Sequence, residues 1–156
     1  MIRVLMVCHG NICRSPMAEF VFRDMAEKRG LGDSFFIRSA ATSSEELGNP
    51  VHYGTKEILS RYGIRTDGKY AVKMTKKDYE AYDLLIGMES RNLHNMRRIT
   101  GEDADHKMAR LLDYSAHPRD IADPWYTGNF DRTYEDIKEG CEALFLYLTE
   151  EYANQL

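Results

Sequence analysis

The segment that most constrains the fold is at the amino terminus, where a short apolar run meets a polar loop and then an amphipathic pattern. Residues 2–8 (IRVLMVC) are typical of a buried strand that ends in the loop of residues 8–14 (CHGNICR). Ser15 and Pro16 predict the N-cap and the first residue of a helix. A helix that begins where a buried strand ends is the basic unit of a parallel α/β fold.

The rest of the chain continues this alternation of strands and helices. Further strands are predicted at residues 35–42, 83–88 and 108–114, and further helices at residues 51–62, 75–82 (capped by Thr75), 90–99 and 131–152. We therefore expect a single α/β domain over residues 1–156, with a doubly wound, four-stranded parallel sheet and helices on both faces. The functional site should lie at the carboxyl ends of the strands.

Composition excludes several classes of protein. With 43% hydrophobic and 29% charged residues, the chain of 156 residues is typical of a globular domain. No apolar run approaches the ~20 residues that cross a bilayer, and the amino-terminal run is too brief for a signal peptide, so we expect a cytoplasmic protein with reduced thiols and no membrane partner. The net charge of −4 argues against nucleic-acid binding.

The cysteines and histidines do not follow a metal-binding pattern. Cys8 and Cys13 are spaced C-x4-C, no histidine pair follows them, and the five histidines are scattered singly, so we expect no metal. Neither G-x-G-x-x-G nor G-x-x-x-x-G-K-[ST] occurs after the first strand, so a nucleotide site is poorly supported. The sequence predicts no cofactor.

The loop of residues 8–14 has the properties of a phosphate-binding loop. At a helix start, free backbone N–H groups and the positive end of the helix dipole converge on one point and favour an anion. Gly10 permits a close turn, Asn11 can adopt a left-handed conformation or hold the loop by side-chain hydrogen bonds, and Arg14 offers a planar fork for phosphate oxygens. We call residues 8–14 the phosphate loop.

Cys8 is the candidate nucleophile in this loop. The helix dipole and Arg14 would stabilise its thiolate, which could attack the phosphorus of a bound phosphate monoester. That reaction also requires an acid for the leaving oxygen. The best candidate is Asp123, which Pro124 stiffens, and Asp120 is the nearby rival.

The two motifs CHGNICRS (residues 8–15) and DPWY (residues 123–126) resemble those of the low-molecular-weight protein tyrosine phosphatase family, and the likeness extends through RSAATS, LGNP and MTKKDYEAYDLLIGM. The resemblance implies a hydrolase without metal or cofactor, acting on phosphotyrosine proteins and aryl phosphates through a phosphocysteine intermediate. It implies that Cys8 is the nucleophile, Arg14 binds phosphate and Asp123 is the general acid and base. Inorganic phosphate or other oxyanions should occupy the same site, and we expect a monomer.

The resemblance also assigns the surrounding residues. The phosphate-binding residues would be His9, Gly10, Asn11, Ile12, Cys13 and Ser15, and the substrate pocket would include Trp125, Tyr126 and Glu45. Asn11 and Ser15 match family residues that hold the loop and the thiolate, and Cys13 matches a second cysteine that pairs reversibly with an oxidised nucleophile. Three positions depart from the family pattern: Glu45 and its neighbours replace an aromatic residue, Lys69 replaces a histidine, and Glu89 replaces an aspartate.

Three other functions fit parts of this pattern. Protein arginine phosphatases resemble the chain throughout, although they tend to carry threonine where Ile12 would suit an aryl ring. Thiol-linked arsenate reduction needs a distant resolving cysteine, and Cys141 lies instead on the apolar stripe of a predicted helix. A non-catalytic phosphate-binding module would require neither a nucleophile nor an acid.

Overall fold

The computed structural model describes all residues from Met1 to Leu156, which form one parallel sheet covered by helices on both faces. The strands are β1 (Ile2–Cys8), β2 (Phe35–Ala41), β3 (Leu84–Gly87) and β4 (Met108–Arg110). The α-helices are α1 (Arg14–Lys28), α2 (Tyr53–Ser60), α3 (Asp78–Ala81), α4 (Ser90–Thr100), α5 (Pro124–Thr127) and α6 (Phe130–Glu151). None of them is long and apolar enough to cross a membrane.

The sheet has the order β2-β1-β3-β4, and every neighbouring pair is parallel. The register places Cys8 beside Ala41 and Val7 beside Gly87. The carboxyl ends of three strands therefore meet at the edge where β1 ends. The predicted doubly wound, four-stranded fold is confirmed.

Alternation of side chains along β1 divides the core into two layers. Val4 and Met6 pack in the larger cluster with α1 and α6, whereas Leu5 and Val7 pack on the other face in a cluster that includes Met96 of α4. Successive strand residues point to opposite faces, so a strand covered on both sides is apolar wherever it is covered, and in β1 only Arg3 is exposed. This burial fixes the end of β1 and hence the start of the phosphate loop.

The prediction that Ser15 caps α1 is wrong. The helix begins at Arg14 with Cys13 as its N-cap, and no side chain caps it. The hydroxyl of Ser15 is instead directed at the sulfur of Cys8, 3.0 Å away. Pro16 is tolerated within the first turn because N–H groups there have no intrahelical partner.

Two other local predictions need correction. Thr75 does not cap the short helix α3, whose N-cap is Lys77; the backbone N–H of Thr75 donates to Asp78. The fourth strand ends at Arg110 rather than Tyr114, because Asp113 accepts the backbone N–H of Arg110 and closes a 3-10 turn over Leu111–Tyr114.

Candidate active site

The phosphate loop surrounds the floor of a cavity of about 110 Å³ at the carboxyl edge of the sheet. The cavity is lined by Cys8, His9, Gly10, Ile12, Cys13, Arg14, Glu45, Glu46, Asp123, Trp125 and Tyr126. The structure thus brings together nearly all the predicted site residues. Asn11 and Ser15 are the exceptions, because they lie behind the floor and contact the sulfur of Cys8.

Three hydrogen-bonding groups surround the sulfur of Cys8. The backbone N–H groups of Asn11 and Ser15 donate to it at 3.3 and 3.4 Å, and the Ser15 hydroxyl lies 3.0 Å away. Cys8 itself is 3% exposed. Donors fixed around a buried sulfur stabilise negative charge on it, because hydrogen bonds to ionised groups are the stronger kind.

Asn11 holds the phosphate loop through both ends of its amide. Its φ of 61° places it in the left-handed region, where asparagine is tolerated better than most residues, so it combines the two alternatives that the sequence left open. Its Nδ2 donates to the hydroxyls of Ser15 (2.8 Å) and Ser39 (3.0 Å), and its Oδ1 accepts the backbone N–H of Val72 (3.1 Å). The loop is therefore tied to α1, β2 and the segment after α2.

A buried carboxylate lies behind this network. Glu19 of α1 is 2% exposed and accepts the hydroxyl of Ser39. Lys69 donates from Nζ to the carbonyl oxygen of Ser39 at 2.8 Å and lies 3.9 Å from Glu19. Burial lowers the pKa of Lys69 and outweighs the opposing attraction of Glu19. Lys69 thus supports the phosphate loop through β2.

Arg14 is oriented by three oxygen atoms. Its Nη1 donates to Glu89 and to the carbonyl oxygen of Ile121 (2.8 Å), and its Nη2 donates to Asp123 at 3.3 Å. Burial acts to lower its pKa, but the negative charges of Cys8, Asp123 and Glu89 outweigh burial and raise it. The guanidinium therefore stays charged at the cavity floor, and Glu89 is one of the groups that orient it.

Asp123 lies on the opposite side of the cavity, in the segment of residues 121–129 that we call the aspartate loop. Its Oδ1 accepts the backbone N–H of Trp125 at 3.0 Å, so it caps α5, and its Oδ2 is directed at Arg14. The side chains of Trp125 and Tyr126 stand beside it and are 57% and 81% exposed. The carboxylate therefore faces the cavity, beside two aromatic residues that line the cavity but are largely exposed.

Asp120, the sequence rival of Asp123, lies outside the cavity. Its Oδ1 accepts the backbone N–H of Ser90 (2.8 Å) and a guanidinium N–H of Arg110 (3.0 Å). Burial acts to raise its pKa, but these hydrogen bonds prevail and hold the pKa below its usual value. A carboxylate kept ionised and bonded elsewhere cannot donate a proton in the cavity.

The three cysteines occupy different environments, and all are free thiols. Cys13 lines the cavity wall, and burial, reinforced by the negative charges of Cys8 and Asp123, raises its pKa to about 12. Cys141 lies on the buried face of α6, as the apolar stripe predicts, and burial raises its pKa as well. Neither environment favours a thiolate at neutral pH.

The rim of the cavity carries negative charge. The side chain of Glu45 is 69% exposed and accepts a hydrogen bond from Nε2 of His9 at 2.8 Å. Glu46 lies above Gly10, where a Cβ would stand 3.3 Å from its Cγ. The predicted pocket residue Glu45 thus borders the cavity, and its carboxylate pairs with the ring of the loop residue His9.

Sequence reasoning missed several supporting residues. Ser39, Glu19, Val72 and the carbonyl of Ile121 all hold the phosphate loop or Arg14. Ser39 lies within the stretch RSAATS, to which no role was assigned, and the other three lie outside every motif described above. Glu19 carried one available signal, because a carboxylate four residues after Ser15 on a largely apolar helix face is unusual. No group of three or more His, Cys, Asp or Glu side chains is arranged to hold a metal ion.

Comparison with known proteins identifies relatives of the whole chain. A family model described as low molecular weight phosphotyrosine protein phosphatase matches residues 3–154. The low molecular weight protein-tyrosine-phosphatase YfkJ of Bacillus subtilis is 44% identical over 153 residues, which are 97% of this chain and 98% of YfkJ. PtpA of Staphylococcus epidermidis is 36% identical over 152 residues, which are 97% of this chain and 96% of PtpA.

Solved structures of such relatives have the same fold. The crystal structure of YfkJ from Bacillus subtilis superimposes with a TM-score of 0.94, covering 97% of this chain and 96% of that one. The low molecular weight protein tyrosine phosphatase SP-PTP from Streptococcus pyogenes, at 38% identity, gives a TM-score of 0.86 and covers 99% of this chain and 98% of its own.

Proposed function

The chain belongs to the low molecular weight phosphotyrosine protein phosphatase family and is a cysteine-dependent protein-tyrosine-phosphatase, and on that premise we propose that Cys8, Arg14 and Asp123 carry its reaction. One observation carries the assignment. The sulfur of Cys8, ringed by donors, lies on the floor of a cavity whose opposite side presents the carboxylate of Asp123.

The first step transfers the phosphoryl group to the enzyme. The thiolate of Cys8 attacks phosphorus and forms an S–P bond as the bond from phosphorus to the phenolic oxygen breaks. Protonated Asp123 gives its proton to that oxygen, so tyrosine leaves as a neutral phenol. Arg14 and the loop N–H groups stabilise the charge on the three remaining phosphoryl oxygens, because such fixed donors require no reorganisation during the reaction.

The second step releases inorganic phosphate. Asp123, now a carboxylate, takes a proton from a water molecule, and the resulting oxygen forms a bond to phosphorus as the S–P bond breaks. The electron pair returns to the sulfur and regenerates the thiolate of Cys8. Asp123 ends the cycle protonated and ready for the next substrate. The remaining loop residues, His9, Gly10, Ile12 and Cys13, shape the cavity that binds the phosphate.

The cavity walls suit an aromatic phosphate monoester. Ile12, Trp125 and Tyr126 border a floor on which the nucleophile is buried, so a flat, long side chain reaches the sulfur more easily than a short one. The apolar side chain of Ile12 favours a tyrosine ring over the charged guanidinium of phosphoarginine. We assign phosphotyrosine in proteins as the substrate and inorganic phosphate as the product ligand.

The free thiols of Cys8, Cys13 and Cys141 support a reducing, cytoplasmic environment.

Cys13 lines the same cavity as Cys8, and we assign it the capture of a sulfenic acid formed on Cys8, which would give a reducible disulfide and water. We propose that the enzyme works as a monomer.

The test compares phosphopeptides that carry phosphotyrosine, phosphoarginine or phosphoserine in one sequence context. The proposal predicts the highest kcat/KM for phosphotyrosine and the loss of its turnover in Cys8→Ser. The variant Cys141→Ser is the matched control and should retain turnover, because that sulfur lies in the core. Preference for phosphoarginine, or undiminished turnover in Cys8→Ser, would overturn the proposal.

A further inference from the structure

The start of α2 is bonded directly to the phosphate loop. The backbone N–H of His52, the residue before α2, donates to the carbonyl oxygen of Ile12 at 2.9 Å. The hydroxyl of the fully buried Thr55 donates to the carbonyl oxygen of Cys13 at 3.1 Å. His52 therefore has a fixed backbone position relative to Cys8 and its loop.

The ring of His52 is fixed as well. Its Nδ1 accepts the backbone N–H of Gly54 at 3.0 Å, which makes it the N-cap of α2. One face stacks on Phe130, with centroids 5.1 Å apart and planes inclined by 16°, and the ring meets Trp125 edge-on at 5.7 Å and 79°. Such offset and edge-to-face arrangements are the favourable ones for aromatic pairs.

These contacts reach the aspartate loop at two places. Phe130 follows the loop directly, and its ring packs so closely on α2 that a Cβ at Gly54 would lie 2.6 Å from its Cζ. Trp125 lies within the loop, and its backbone N–H donates to Oδ1 of Asp123. The ring of His52, whose backbone is hydrogen-bonded to the phosphate loop, therefore contacts Trp125, and the backbone N–H of Trp125 orients the carboxylate of Asp123.

We propose that His52 is a positioning residue that holds Asp123 over Cys8 by packing its ring against Trp125 and Phe130. The inference rests on the proposed role of Asp123 as the general acid. His52 touches neither the cavity nor the reacting atoms and acts through Trp125. Trp125 is largely exposed. Without the ring of His52 it would therefore have few contacts to hold its position.

The test separates the ring from the cap with two variants. His52→Asn retains an N-cap oxygen for Gly54 but removes the ring, and His52→Phe retains the ring but removes the acceptor. Each is assayed for kcat/KM on a phosphotyrosine peptide and on a nitro-substituted aryl phosphate, whose phenolate leaves without help from an acid. Alkylation of Cys8 by iodoacetamide monitors the phosphate loop independently.

A displaced acid should slow only the substrate that needs it. His52→Asn should lower kcat/KM about tenfold for the phosphotyrosine peptide, with little change for the nitro-substituted substrate, in Cys8 alkylation or in the unfolding midpoint. His52→Phe should keep the wild-type ratio between the two substrates. In an Asp123→Ala background His52→Asn should have no further effect, since both changes remove the same contribution.

Several results would overturn the inference. Equal losses on both substrates, no loss on either, or full additivity with Asp123→Ala would show that the ring does not act through the carboxylate. A failure of the proposed function would look different. In that case Asp123→Ala alone would leave the ratio between the two substrates unchanged, whatever happens at His52.

Discussion

The phosphate loop and the aspartate loop face each other across one cavity but are built in opposite ways. Asn11, Arg14 and Ser15 are each at most 1% exposed, and each makes hydrogen bonds to other buried or partly buried groups. In the aspartate loop, Trp125 and Tyr126 are largely exposed. The nucleophile thus lies in a densely bonded part of the core, whereas the acid lies on a lightly held surface segment.

This difference separates two requirements of the reaction. A sulfur that must remain charged needs donors fixed before the substrate arrives, and burial within a network supplies them. An acid must meet leaving groups of different substrates and let the product escape, which a surface loop allows. We therefore expect changes in the phosphate loop to affect stability and chemistry together, and changes at Asp123 and the exposed residues beside it to affect chemistry almost alone.

The largest expected effect distinguishes the two cysteines of the phosphate loop. With a pKa of about 12, Cys13 carries a thiolate in only about one molecule in 10⁵ at pH 7. Iodoacetamide at pH 7 should therefore modify Cys8 and spare Cys13, which should react only as the pH approaches 12. Peptide mapping measures both sites, and Cys8→Ser is the control in which no loop cysteine reacts. Equal modification at pH 7 would contradict the difference in their environments.

The next largest effect lies in the aspartate loop. Asp123→Ala should lower kcat/KM for a phosphotyrosine peptide by about 10² to 10⁴-fold, the usual range for lost acid catalysis. Inhibition by inorganic phosphate should remain, because the loop that binds it is intact. Asp120→Ala is the matched control and should turn over near the wild-type rate. If Asp123→Ala also lost phosphate binding, the two loops would not divide phosphate binding and acid catalysis between them.

A substitution in the phosphate loop should lower the free energy of unfolding. Asn11→Ala removes the amide that joins Ser15, Ser39 and Val72 and leaves a left-handed alanine, so the free energy of unfolding should fall by about 1–3 kcal/mol. Urea denaturation measures the change. The control is Asn49→Ala, whose amide donates to the exposed Glu46 and whose loss should cost less than about 0.5 kcal/mol. Equal losses of stability in the two variants would show that the hydrogen bonds of Asn11 do not stabilise the fold.

The smallest effect concerns the rim. Glu45→Gln removes a negative charge beside the cavity, so KM for a dianionic aryl phosphate should fall by less than about fivefold, with kcat unchanged. The change should shrink in high salt, because the carboxylate is exposed. Glu150→Gln, an exposed carboxylate of α6 that does not line the cavity, should leave KM unchanged. A large change in kcat would place Glu45 in the chemistry instead.

Local patterns made the framework of the site predictable. The apolar run of residues 2–8 is followed by a glycine and an arginine. This local sequence is enough to recognise a strand and an anion-binding loop. Asp123 is noticeable because a proline and two aromatic residues follow it. Those signals reside in short stretches of sequence, so they survive without knowledge of the packing.

The contacts that complete the site depend on the sheet order. Ser39 meets Asn11 only because β2 pairs beside β1, and Lys69 reaches the same strand from a loop 30 residues later. The sequence predicted Ser15 as an N-cap because its hydroxyl suits that role, but the hydroxyl contacts the sulfur of Cys8 instead. The stacking of His52 on Phe130 depends on how α2 packs against α6, which no local pattern specifies.

The most direct test of the account is to locate the phosphoryl group on the enzyme during turnover. Asp123→Ala is mixed with a nitro-substituted aryl phosphate, quenched rapidly, and mapped by mass spectrometry. This substrate needs no acid to phosphorylate the enzyme, while the missing base delays its hydrolysis, so the account predicts one phosphoryl group on the sulfur of Cys8. Product formation with no phosphorylated enzyme, or with the phosphoryl group on any other residue, would contradict it.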